Sequence, residues 1–293
     1  MFKNATIYRC AAAITPTIGE LPQFEPCGPT QQQSSGFVPV TKGMGLLELV
    51  GNDQFVCLQI ETKKAPAAAV KRRADELAAD FEQQTGRKPG RKGMKELKEQ
   101  ALLELLPNVI PARKTIGAVL LCSGWLVIDS TSAAICDLVV TELVKATPHM
   151  EVQAVRTNES PVSIMSHWLL TGEPAPDFTV DRECELKTPD EMKSVVRYAR
   201  HPLDIDEVRE HVRLGKVPTK LAMTFQGRMS FVMTAAMQLR KIETLAVGES
   251  EASAGDAESA WLAEAGLFAA EMTNLMPSLI DALGGEPEQA AQA

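Results

Sequence analysis

The sequence predicts an α+β protein: antiparallel sheets with packed helices and one projecting helical hairpin. Three observations carry that expectation. Strand-like and helix-like stretches come in blocks, not in the strict alternation of a parallel sheet. A helical apolar period appears twice in succession between Pro66 and Pro107, interrupted by Gly86, Pro89, Gly90 and Gly93, which predicts two helices joined by a short breaker loop. Three strand candidates then follow closely in the second half, at residues 219–225, 229–234 and 239–246, with Gln226-Gly227 as the first turn.

Taken in order, residues 5–13 read as a first strand. Pro16, Pro22, Pro26, Pro29 and Pro39 mark a long irregular stretch after it. Residues 54–62 (QFVCLQIET) form a strand bounded by Gly51-Asn52-Asp53. Pro66 suits a first helical turn, and Val70, Ala74, Leu77 and Phe81 mark one helix face. Met94, Leu97, Ala101 and Leu105 mark the face of the next helix, which stops at Pro107. Strands at 115–121 and 125–129 flank Cys122-Ser123-Gly124 as a β-hairpin. A helix at 132–145, a short strand at 151–155 and a helix at 162–170 follow. Residues 195–200 are strand-like and 204–214 helical. A Gly/Ser/Glu/Ala linker spans 248–255. The last helix runs from 257 to 283, bent by Pro277 and stopped by Gly284-Gly285. The predicted division is a central α+β domain (1–62 and 115–160), an inserted basic helical hairpin (63–114) and a C-terminal α+β domain (161–293) with an acidic last helix.

At 293 residues, 45% hydrophobic and 23% charged, the composition is that of an ordinary globular chain. No stretch approaches the ~18 apolar residues of a membrane span, and the first residues lack the apolar core of a signal peptide, so a cytoplasmic protein is expected. Six scattered cysteines form no CxxC pair, which argues for reduced, mostly buried thiols. The net charge of −8 hides a segregation. Residues 63–114 hold 13 Lys/Arg against 7 Asp/Glu, whereas residues 242–293 hold 10 Asp/Glu and no basic residue.

Catalysis finds little foothold. The stretch GRKPGRKGMK lacks the GxxxxGK[ST] order of a phosphate loop and follows a helix instead of a strand. Pro189-Asp190-Glu191-Met192-Lys193 spells a compressed nuclease-like pattern, but adjacent side chains point different ways, while a metal nuclease needs convergent carboxylates. Thr188 with Glu191 reads better as a capping box. His149, His167, His201 and His211 have no metal-ligand spacing. No catalytic residue, metal or cofactor is expected.

The basic stretch TGRKPGRKGMKELK (85–98) is the notable feature. Its simplest reading is a solvated helix face with i,i+4 pairs such as Lys95–Glu99. A hairpin loop that projects its charge, with further cations elsewhere, fits contact with phosphates instead. The candidate DNA-contacting residues are Arg87, Lys88, Arg91, Lys92, Lys95, Lys98, Arg113, Lys114, Arg197, Arg200, Lys216, Lys220 and Arg228. Few aromatics accompany them, so base stacking is not the mode. A protein-interaction adaptor using the hairpin for an acidic partner is the competing expectation, and a cryptic nuclease the third.

Several segments resemble one family. FKNATIYR (2–9), FEPCG (24–28), GFVP (36–39), LLP (105–107), WLVIDSTSA (125–133), HVRLGKVPTKLAMTFQGRMSFVM (211–233) and LGGE (283–286) match, in order, the blocks of the RdgC proteins, which are bacterial and recombination-associated. The resemblance implies a duplex-DNA-binding protein without sequence preference or enzymatic activity, associated with the nucleoid. It implies a horseshoe subunit, two of which close into a homodimeric ring with a basic lining around double-stranded DNA, and a restraining action on RecA. It places Lys216 and Lys220 on the family's basic strand region and Arg228 in the next strand; the hairpin cations match in character. Ile110 stands where relatives carry an aromatic. Val109 and Ile110 beside the hairpin, and Leu275 and Leu279 on the last helix, are the expected dimer contacts.

Overall fold

The computed structural model describes residues 1–10, 18–147, 149–189, 194–245 and 257–287. In chain order the elements begin with β1 (Asn4–Cys10), β2 (Gln33–Val38), β3 (Leu47–Val50) and β4 (Asp53–Thr62). Helices α1 (Ala67–Thr85) and α2 (Arg91–Leu105) follow, with a 3-10 turn at Leu106–Asn108. Then come β5 (Ala112–Leu121), β6 (Trp125–Ile128), α3 (Ala133–Ala146), β7 (Val152–Ala154) and α4 (Pro161–Thr171). The chain continues through β8 (Phe178–Lys187), β9 (Val195–Ala199), α5 (Asp206–Arg213), β10 (Val217–Phe225), β11 (Met229–Thr234), β12 (Leu239–Thr244) and α6 (Ala257–Ala282). The α+β class and the antiparallel pairing agree with the sequence reading.

The chain forms two compact units: Met1–Leu21 with Pro39–Val56 and Gly117–Ala293, and Pro22–Val38 with Cys57–Ile116. This differs from the three-part division. The expected central and C-terminal domains share one unit because β1 bridges them: Thr6–Arg9 pair with β6, while Asn4 and Ala5 pair with β12. The second unit also takes in Pro22–Val38, part of which the proline-rich composition marked as irregular. There β2 pairs with the second half of β4, from Gln33 opposite Thr62 to Val38 opposite Cys57.

In the larger unit the strand order β5-β6-β1-β12-β11-β10-β8-β9 is antiparallel throughout. Gln226 and Gly227 both take positive φ, 47° and 66°, as the tight turns that match strand twist require, and so join β10 to β11. One face of β8–β12 is apolar, through Cys184, Leu186, Leu221, Met223, Phe231, Met233 and Leu239, all buried. The core of the unit also holds α4 and the greater part of α6. Phe2 packs on Phe268 at 4.9 Å between ring centroids, Phe55 on Trp261 at 5.4 Å, and Phe178 on Phe225 at 5.2 Å. Helix α6 ends where expected: Gly284 and Gly285 take φ of 79° and 82°, and Asn158 and Glu159 donate their backbone N–H groups to the carbonyls of Gly285 and Leu283. The LGGE block thus fastens the end of the core helix. The expected linker at 248–255 lies outside the described residues, as do Asp190, Glu191 and Lys193.

In the smaller unit α1 and α2 form the predicted hairpin. Gly86 ends α1 in the left-handed region, φ 69°, where a side chain would be strained, and Gly90 precedes α2. Ala74 and Ala101 are fully buried and Val70, Leu77, Met94 and Leu97 half-buried, whereas Phe81 and Leu103 remain largely exposed. Arg73 adds an interhelical ion pair to Glu104 at 2.7 Å. The FEPCG and GFVP blocks meet here. Phe24 N–H donates to the Phe37 carbonyl at 2.9 Å, and Phe37 N–H to the Pro22 carbonyl at 2.8 Å. A Cβ on Gly36 would collide with the Phe24 Cα, so only glycine permits that approach.

Candidate nucleic-acid interface

Residues facing each other on neighbouring antiparallel strands share a face of the sheet, as do residues two apart on one strand. In the larger unit Lys220 on β10 lies opposite Glu185 on β8, and Glu185 lies opposite Arg197 on β9. Lys187 is two residues on from Glu185. The next rung runs from Ala222 through Val232 and Arg240 to Asn4. Lys241, adjacent to Arg240, reaches the same region because its backbone takes φ of 52°, beside a register shift between β11 and β12. One sheet face therefore gathers Lys187, Arg197, Lys220, Arg240 and Lys241 around Glu183 and Glu185, with Asp181, which accepts from the Thr224 hydroxyl at 2.9 Å, and Glu243, opposite Ser230, farther along it. Four of these cations, with Glu183 and Glu185, line a concavity of about 430 Å³, and Lys187 stands beside it.

Glu185 is the hub. It is 3% exposed and accepts from the Thr219 hydroxyl at 2.7 Å, Arg197 Nε at 2.7 Å and Lys220 Nζ at 3.1 Å, with Lys187 Nζ at 3.1 Å. Burial is the largest single influence and pushes its carboxyl up. The hydrogen bonds from Thr219, Arg197, Lys187 and Lys220 together outweigh it and hold the group well below the usual carboxylate range. Lys241 Nζ meets both oxygens of Glu183 at 2.7 Å. Arg240 Nε is buried and has no hydrogen-bond partner among the described residues. On the opposite face burial pushes the Cys184 thiol up to about 12, so it remains a neutral core group.

In the smaller unit Arg87, Lys88, Arg91, Lys92, Lys95 and Lys98 are all exposed on the hairpin. Lys95 lies 3.8 Å from Glu99, the expected i,i+4 pair; the other five have no ion pair among the described residues. Arg113 is organised differently. Its Nε meets the buried carboxylate of Glu61 at 2.5 Å, and its guanidinium lies 5.6 Å from the Phe24 ring centroid. Cys27 N–H donates to the same carboxylate at 2.8 Å. The Arg113 bond, then that backbone bond, hold the Glu61 carboxyl below its ordinary range.

The sequence-predicted cations thus fall into distinct settings. Arg197 and Lys220 converge on Glu185. Arg228 pairs with Glu271, a carboxylate only 1% exposed on α6. Lys216 Nζ lies 3.2 Å from His211 Nδ1. Lys114 and Arg200 are exposed, Arg200 with a left-handed backbone, φ 56°. Lys187, Arg240 and Lys241 were not anticipated. Their signal was the alternation Glu183, Glu185, Lys187 and the paired Arg240-Lys241 inside a strand.

The expected dimer contacts divide. Ile110 is 91% exposed and Val109 half-buried. Leu275 and Leu279 are corrected: both are 0% exposed, inside the core of their own chain. Helix α6 is apolar on most of its circumference, so those leucines are spent on the subunit's interior and present no surface.

Comparison with known proteins supplies the lineage. A family model described as "Putative exonuclease, RdgC" matches residues 1–286. A protein of Cupriavidus pinatubonensis named "Recombination-associated protein RdgC" is 36% identical over 97% of this chain and 98% of its own length. Proteins of the same name from Paraburkholderia phymatum and Dechloromonas aromatica are 33% and 34% identical, covering 100% and 99% of this chain and 99% of their own lengths. The charged sheet face, the basic hairpin and the ordered sequence blocks therefore sit in a chain that belongs to the RdgC family of recombination-associated proteins.

Proposed function

We propose that this chain binds double-stranded DNA without sequence preference, without catalysis, as a homodimeric ring of horseshoe-shaped subunits, and that it restrains RecA in recombination at the nucleoid. The observation that carries the reading is the concavity on the sheet face of β8–β12, where five cations gather around Glu183 and Glu185, with Asp181 and Glu243 farther along the same face, in a chain whose total charge is −8. Segregated positive charge supports phosphate contact, and an acidic remainder discourages indiscriminate binding. The exposed, largely unpaired hairpin cations support it a second time. No base-reading arrangement is required, because phosphates carry no sequence information. The ring is tested by affinity for linear against closed circular duplex, together with solution mass. A monomer that binds both alike would overturn it.

The family description favours a second reading, an exonuclease. Degradation of end-labelled duplex with Mg²⁺, lost on Asp190→Ala with Glu191→Ala, would establish that reading in place of the first.

A further inference from the structure

We propose that Glu185 is a positioning residue, a buried carboxylate that organises Lys187, Arg197 and Lys220, beside Arg240, into a cradle for one backbone phosphate of duplex DNA. The inference rests on the DNA-binding reading above and assigns a role to the one acidic group at the centre of the basic face.

The argument begins with donor counting. A carboxylate offers about four lone-pair sites. Those of Glu185 face Thr219, Lys187, Arg197 and Lys220, with Thr219 and Lys187 on one oxygen and Arg197 and Lys220 on the other. The acceptor is saturated. The donors are not: a lysine ammonium carries three N–H groups and a guanidinium five, and each cation gives one of them to Glu185. The remaining donors are available outward, and the Arg197 side chain is 70% exposed. Glu185 therefore fixes the inner end of each cation and leaves the outer end for an anion.

Charge and satisfaction point the same way. One carboxylate shared by three cations leaves a local excess of positive charge, and the Lys241–Glu183 pair is neutral by itself. Arg240 borders the concavity with a buried Nε that has no acceptor among the described residues. Buried donors are normally bonded, so an acceptor oxygen in the concavity would complete it. A phosphate supplies negative charge with several oxygens, which three differently placed donor groups can share. A carboxylate ligand offers fewer oxygens to share among them.

The test turns on a sign. If the face were only a reservoir of charge, Glu185→Gln and Glu183→Gln would each add one positive charge, and both would tighten DNA binding. A positioning role predicts opposite outcomes. Glu183→Gln tightens binding or leaves it unchanged. Glu185→Gln weakens it by about tenfold, as loss of an orienting partner does for metal ligands, and flattens the dependence of log K on log salt by roughly 0.9 for each phosphate no longer engaged. Affinity is read by fluorescence anisotropy of a labelled duplex over a salt series, with the full chain.

Should Glu185→Gln fail to fold, Arg240→Gln carries the test, with an expected flattening of the slope by about 0.9 and an unchanged melting temperature in chloride. Inorganic phosphate separates the cradle from the function. Phosphate should raise the melting temperature of the wild type over chloride at equal ionic strength by more than that of Arg240→Gln, which keeps only the general stabilisation by an excluded salt. Phosphate protection without duplex binding would overturn the DNA reading and keep an anion site. Duplex binding whose slope neither variant alters would keep the DNA reading and overturn the cradle. Tighter binding by Glu185→Gln would do the same.

Discussion

Changing Arg87, Lys88, Arg91 and Lys92 together to alanine isolates the hairpin from the sheet face. All four side chains are exposed, and none has an ion pair among the described residues, so the substitutions remove charge without uncovering a buried partner. On duplex DNA each neutralised phosphate contributes about 0.9 to the slope of log K against log salt. If each residue meets one phosphate, the slope falls by ~3.6 per subunit, which over a fourfold rise in salt corresponds to roughly 150-fold in affinity. The weakening should be equal on AT-rich and GC-rich duplexes. Stability should change by no more than about 0.5 kcal/mol per substitution, as for other exposed positions. Anisotropy over a salt series, with a thermal melt as control, reads both quantities. The solvated-charge alternative predicts almost no change, because exposed i,i+4 pairs are worth only ~0.2–0.5 kcal/mol. An unchanged slope in the quadruple variant, beside a collapsed slope in Lys216→Ala with Lys220→Ala, would refute the hairpin's role and leave the affinity with the sheet.

Three further outcomes are expected. On the proposed dimeric reading, Ile110→Asp should shift the sedimentation coefficient from dimer to monomer at micromolar concentration without lowering the melting temperature, whereas Leu275→Ala should cost ~2–5 kcal/mol of stability; a destabilised Ile110 variant of unchanged mass would contradict the assignment of that exposed side chain. Gly36→Ala should lose ~1–3 kcal/mol because its Cβ would meet the Phe24 backbone, while Gly28→Ala, with nothing nearer than 3.8 Å, should melt close to wild type. Glu185 has a depressed carboxyl pKa in the folded chain, so its contribution to stability is full above its ordinary value of 4.5 and is lost as pH falls below that value towards the folded one. Between about pH 5 and pH 2 the wild type should therefore lose more stability than Glu185→Gln, and parallel losses would discount the hydrogen-bonded hub.

The helical hairpin was legible because its signals are local: Pro66 opens it, Gly86 and Gly90 break it, and an apolar residue recurs every three or four positions. The strand that centres the candidate interface was not. Five of the ten residues of β8 are charged, namely Asp181, Arg182, Glu183, Glu185 and Lys187, which reads as a loop. Its apolar side, Phe178, Val180, Cys184 and Leu186, is interrupted by Arg182 where the register against β10 shifts between Leu221 and Met223. The missed β2 has the same cause in another form. Gln33-Ser34-Ser35-Gly36 has little intrinsic strand preference, and pairing with β4 imposes the conformation. Helix α6 carried a signal that was available. Phe268, Met272, Leu275, Met276, Leu279 and Ile280 cover more than one face, and a helix apolar on most sides is a buried one. Treating Leu275 and Leu279 as a surface stripe overlooked their neighbours.

The placement of carboxylates sorts the cations in a way that composition could not show. Glu61, Glu185 and Glu271 are each about 1–3% exposed, and each holds at least one cation that reaches the surface: Arg113, the group around Lys220, and Arg228. Pulling the cation away would leave a buried carboxylate uncompensated, so these cations are bound to fixed positions on the fold. A side chain already held loses less rotamer freedom when it meets a ligand, but its spacing cannot adapt. The hairpin cations other than Lys95 are the opposite case, free at their tips and able to follow phosphates of any local groove geometry, at the entropic cost of being ordered on contact. On the proposed reading the two classes do different work. The held cations on β8–β12 set where the duplex backbone lies, and the free cations on α1–α2 add counterion release without demanding register. A protein that must stay on DNA of every sequence gains from that division, because rigid contacts alone would select one backbone shape and loose contacts alone would give no fixed orientation.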